Sequence, residues 1–105
     1  MNFKELGENL GLEEDEYMEL VELFIETGKV DLQKLKTAME QEDSDEARNA
    51  AHSLKGASGN LGLMDIFETA GQCEAAARNH QMNDLPPLVK GIGDMLETLS
   101  IAAGI

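Results

Sequence analysis

The chain has 105 residues, 8 Lys and Arg against 21 Asp and Glu, and a net charge of −13. That length supports one domain with one core, and that charge excludes nucleic-acid phosphates and anionic lipid surfaces as partners. Cys73 is the only cysteine, so no intramolecular disulfide forms. No apolar run approaches the roughly 18 residues of a membrane span, and the N-terminus lacks a basic stretch followed by an apolar one. A cytoplasmic location is expected, with Met1 as the natural start.

Asn2 to Asn9 is a short helix by the spacing of Phe3, Leu6 and Leu10, and it ends at Gly11. Glu13 to Gln41 places Tyr17, Leu20, Val21, Phe24, Leu32, Leu35, Ala38 and Met39 on one stripe. Its acidic start, Glu13 to Glu16, complements a helix dipole. Gly28 interrupts the period and marks either a bend or a split into two helices. Asp43 and Glu46 form an acidic capping box for a helix reaching about Leu61, with Gly62 as a left-handed stop. Asp65 to about Gln81 follows, with Ile66, Phe67, Ala70, Cys73, Glu74 and Ala77 inward. The last helix starts near Asp84, where Pro86 and Pro87 are tolerated in the first turn. Leu88, Val89, Ile92, Met95, Leu96, Leu99 and Ala102 give it a continuous apolar stripe. Met18, Met39, Met64, Met82 and Met95 are expected to fill the core. Nothing alternates with period two. The expected fold is all-α: an up-down antiparallel four-helix bundle with a short extra N-terminal helix, residues 1–105 forming a single domain.

The third of these segments carries the chemistry. Ala47, Ala50, Ala51, Leu54, Ala57, Ser58 and Leu61 form its buried stripe, and His52 points roughly 160° away from Leu54. Arg48, Lys55, Gly56 and Gly59 lie within roughly 60° of His52. In a strongly acidic chain, residues 48–62 hold two cations and no carboxylate. Glycine within a helix is unfavourable by roughly 0.8–1 kcal/mol against alanine, so Gly56 and Gly59 suggest a surface kept bare for another macromolecule. Alone, they fit a helix C-terminus equally well. If Gly59 is within the helix, Gly59→Ala is expected to stabilise the protein.

A solvated imidazole is largely neutral at pH 7 and keeps one ring lone pair. It is a nucleophile toward phosphorus that needs no adjacent base. Phosphoryl transfer asks chiefly for alignment and charge compensation, which Lys55 can provide. A metal site built from His52, His80 and a carboxylate such as Glu74 is disfavoured, because the Glu-x-x-His pattern of bundle metal sites is missing. Cys73 is expected to be a small buried hydrophobe.

Leu20 to Ile25 before the site, Ala51-His52-Ser53-Leu54-Lys55-Gly56 with Leu61-Gly62, and Cys73-Glu74 after it together resemble the histidine-containing phosphotransfer (HPt) domains of two-component phosphorelays. The resemblance covers essentially the whole chain. It implies a four-helix bundle in which His52 accepts the phosphoryl group, Lys55 stabilises it and Gly56 leaves room for a partner. Arg48 and Gly59 are expected to belong to the same partner-binding face. The implied partners are receiver domains of response regulators or hybrid kinases, which bring the acceptor aspartate and Mg²⁺. The chain itself is expected to be a monomer that binds no cofactor or metal and has no kinase activity. Two other classes compete. An acidic acyl- or peptidyl-carrier protein would use Ser53, but its serine follows an aspartate at a helix start. A non-phosphorylated helical adaptor would have no use for an exposed histidine.

Overall fold

Residues 1–105 are described by a computed structural model. α1 spans Phe3–Asn9, α2 Glu14–Glu40, α3 Ser44–Asn60, α4 Met64–Arg78 and α5 Leu85–Ala103, with one 3₁₀ turn at Met82–Asp84. Local chemistry explains the starts. The Asn2 side chain accepts from the Glu5 N–H at 3.0 Å, and the Asp43 side chain from the Glu46 N–H at 3.1 Å. The Glu13 N–H donates to the Glu16 carboxylate at 3.0 Å.

The stops share one geometry. α3 ends with Gly62 at φ +73°, its N–H donating to the Gly59 carbonyl while the Leu63 N–H reaches back to Ser58. α4 ends the same way around His80 at φ +56°, so it stops at Arg78, short of the expected Gln81. A non-glycine residue in this region carries strain. His80 is held there with its Nδ1 3.1 Å from the Ser44 hydroxyl.

α2 to α5 form the up-down bundle, each helix packing on the next and α5 closing against α2; α1 lies on α2. α2 is unbroken, so there is no split at Gly28; a Cβ there would sit 3.2 Å from Leu96 of α5, and this glycine marks a close crossing. The core draws large side chains from α2 and α5, among them Tyr17, Ile25, Leu35, Leu85, Ile92 and Leu99. α3 contributes mostly small ones, Ala47, Ala50, Ala51 and Ser58 around Leu54. Cys73 is buried in this core, and burial pushes its thiol up to about 11. Leu20 is exposed, lying off the edge of the Tyr17–Val21–Phe24 stripe. The methionines are peripheral: Met64 is exposed and Met18, Met39, Met82 and Met95 are half-buried, because branched residues and alanines already fill the interior. No helix is long and apolar enough to cross a membrane.

The buried Tyr17 hydroxyl donates to the Leu61 carbonyl at 2.6 Å, so α2 ties down the end of the histidine helix. Tyr17→Phe leaves that carbonyl without its donor. Urea unfolding should show a loss of about 1–3 kcal/mol with the m-value unchanged.

Candidate functional site

α3 and α4 form a helical hairpin through the tight turn at Leu61–Leu63, and its antiparallel register builds the site. Near the turn, Gly59 meets Phe67. Farther out Lys55 passes Gly71, and farther still His52 meets Glu74. The His52 side chain is 73% exposed, so the imidazole stands in solvent as the helical wheel requires. One ring nitrogen is nonetheless engaged: Nδ1 lies 2.6 Å from Glu74 Oε2, while the Glu74 side chain is only 7% exposed. A carboxylate in that contact accepts the hydrogen, so Nδ1 carries the proton, and in the neutral ring the lone pair then lies on Nε2.

The second oxygen of the same carboxylate, Oε1, accepts from Lys55 Nζ at 3.2 Å and lies 3.7 Å from Arg78 on the same face of α4. Burial pushes the Glu74 carboxyl up. The hydrogen bonds from His52 and Lys55, together with their positive charge, pull it down, and the donors prevail: it sits below the usual glutamate range. On the other flank of His52, the Ser53 hydroxyl donates to Asp31 of α2 at 2.7 Å. His52 thus sits between two polar ties, one to each neighbouring helix.

Of the residues singled out by sequence, His52 and Lys55 are brought together through Glu74. Gly56 is exposed with open space where a Cβ would point, and Arg48 is exposed one turn before His52. Gly59 differs. It is half-buried, and a Cβ there would sit 2.9 Å from the Phe67 ring. It lies within α3, as expected, but its missing side chain makes room for α4 and not for a partner. Gly59→Ala therefore does not bring the stabilisation that helix propensity alone predicts, since the added methyl must displace an aromatic ring. The wheel places Gly59 beside His52 correctly; it does not say that α4 covers that end of the face. His52 and His80 have different partners, Glu74 and Ser44, and no cluster of three His, Cys, Asp or Glu side chains that could hold a metal occurs.

Sequence reasoning placed Glu74 on the inward stripe of α4 without giving it the histidine. The signal was present: an inward carboxylate needs donors, and the exposed face of α3 supplies them. Arg78 and Asp31 carried no comparable signal.

A family model described as Hpt domain matches residues 19–102. The fold is similar to that of the HPT domain from an Hpt sensor hybrid histidine kinase of Shewanella, with 20% identity and a TM-score of 0.81 over 99% of this chain and 90% of that one. It is also similar to histidine-containing phosphotransfer protein B of Pseudomonas aeruginosa PAO1, with 30% identity and a TM-score of 0.74 over 87% of this chain and 79% of that one. No curated protein matches the chain.

The lowered pKa of Glu74 makes a signed prediction. The stability it contributes is fully present above the ordinary glutamate value, about 4.3, and is lost as pH falls through the lower folded value. Glu74→Gln removes that contribution. The gap in unfolding free energy between parent and variant should close as pH is lowered through the carboxylate range. Urea titrations at several pH values measure it; a gap that widens in acid would reverse the sign assigned to Glu74.

Proposed function

Since this chain belongs to the Hpt domain family, whose members carry phosphoryl groups on histidine in phosphorelays, we propose that His52 is the phosphoryl acceptor and that Nε2 is its reacting atom. The observation that carries this reading is the 2.6 Å contact between His52 Nδ1 and Glu74. With the proton on Nδ1, the other nitrogen is the nucleophile of a side chain that is largely exposed.

Transfer then needs no base. The Nε2 lone pair attacks phosphorus of an aspartyl phosphate on a receiver domain, the P–N bond forms, and the P–O bond to the aspartate breaks with its electrons leaving as carboxylate. The ring gains positive charge while Nδ1 keeps its proton, and the Glu74 carboxylate stabilises that charge at hydrogen-bond distance, as a buried acid does for an imidazolium. Reversal returns the phosphoryl group to an aspartate. Lys55 has three N–H donors; one on Glu74 leaves others for a phosphoryl oxygen. Gly56 leaves the approach to the imidazole open. Arg48 supplies a cation on the same face, and continuing the hairpin register by one turn brings it level with Arg78, the chain's other arginine. Such a face suits an acidic receiver site, which would bring its own Mg²⁺. The chain acts as a carrier in this scheme, as a cytoplasmic monomer. Nothing in the site favours a carrier arm on Ser53, whose hydroxyl is held by Asp31 in mid-helix.

Phosphoramidate, a small donor to imidazoles, tests the acceptor without a partner, and a phosphorylated receiver with Mg²⁺ tests the relay. His52→Gln should retain the fold within about 0.5 kcal/mol, since the glutamine amide can still donate to Glu74, and should take up no acid-labile phosphate from either donor. Phosphate retained on His80 would remove the assignment. Lys55→Ala should slow loading or transfer roughly ten- to a hundredfold, as loss of a charge-assisted hydrogen bond in the transition state requires. Stopped-flow or quench-flow rates decide it.

A further inference from the structure

Lys55 starts on α3 and ends on a carboxylate of α4, and its path is built by residues that the reading above leaves unused. Phe67, Gly71 and Glu74 are spaced i, i+4, i+7 along α4 and so share one face. The Phe67 ring lies against the α3 backbone, 2.9 and 3.1 Å from where a Cβ of Gly59 would be, which only glycine permits. The Lys55 ammonium stands 5.9 Å from the centre of that ring. One turn along, the Lys55 Cδ lies 3.8 Å from where a Cβ of Gly71 would be, so the aliphatic chain runs over a bare stretch of α4. The ammonium then meets Glu74 Oε1 at 3.2 Å. The gap takes the stem of the lysine, while the aromatic face and the carboxylate both meet its ammonium.

We propose that Phe67 and Gly71 form a cradle that holds the Lys55 ammonium beside His52, making Phe67 a positioning residue for phosphoryl transfer. The inference rests on the reading of Lys55 given under Proposed function. A lysine ammonium on a free four-carbon stem samples many rotamers. The ring restricts it from one side and Glu74 from the other, so that the charge waits on the carboxylate that also holds the imidazole instead of being recruited from solution. Gly59 serves this arrangement at one remove, since a side chain there would lift the ring off α3.

The test uses phosphoramidate loading of the intact chain, with Phe67→Leu, Gly71→Leu and Lys55→Ala alone and in the two pairs that include Lys55→Ala. Phe67→Leu removes the aromatic face and should slow loading about two- to fivefold. Gly71→Leu fills the path of the stem and should slow it about tenfold or more, approaching Lys55→Ala, although leucine is the better helix former and the variant should melt no lower than the parent. In the Lys55→Ala background both effects should vanish, which a general loss of structure would not produce. The Lys55 ε-methylene protons, shifted by the ring in the parent, should return toward ordinary lysine values in Phe67→Leu. If Lys55→Ala is slow while both cradle variants load at the parent rate, the cradle is overturned and the role of Lys55 stands. A parent rate in Lys55→Ala overturns that role, and the positioning of Lys55 for transfer falls with it. Should Phe67→Leu fail to fold, Gly71→Leu carries the decision alone.

Discussion

Glu74 is the constraint on which the site depends. A carboxylate shielded from solvent is tolerated only where donors surround it, and two of the donors it finds, His52 and Lys55, belong to the neighbouring helix. Satisfying this one group therefore locks α4 to α3 in a single register, chooses the tautomer of the imidazole and draws a cation to its side. In the proposed transfer, stability and chemistry use the same two hydrogen bonds. The arrangement also explains how an exposed histidine can have a defined orientation: its outer nitrogen is free because its inner one is engaged.

The helix that carries His52 is built to be held close. Its buried face is alanine and serine around one leucine, so it contributes less apolar area than α2 or α5 but allows its neighbours to approach. Tyr17 fixes the carbonyl of Leu61, which caps its C-terminus, Asp31 holds Ser53, and Glu74 holds His52. A side chain on a rigid element, with one ring atom already engaged, needs little reorganisation when a partner arrives. The glycines of this helix divide accordingly. Gly56 faces open space, where a second molecule can approach, whereas Gly59 faces Phe67 and belongs to the packing of the hairpin.

The sequence by itself determined the elements and the outward face. The 3.6-residue period marks each helix, the cap at Asp43 marks the start of the histidine helix, and His52 falls opposite Leu54 whatever the helix packs against. These properties are local: they depend on spacing within one segment and on side-chain chemistry at its ends. The stop of α4 at Arg78 escaped local reading only because His80, a non-glycine residue, adopts a conformation that glycine usually takes. What only the tertiary structure decided is which flank of α3 lies beneath α4. An angle on a helical wheel measures distance from the core and says nothing about a neighbour crossing at the side. Hence Gly59 read as bare surface, Glu74 as a buried carboxylate without a known partner, and Gly28 as an interruption when it is a crossing point. The pairing of His52 with Glu74 joins residues on two helices, and the tight turn at Gly62 sets the register that brings them to 2.6 Å.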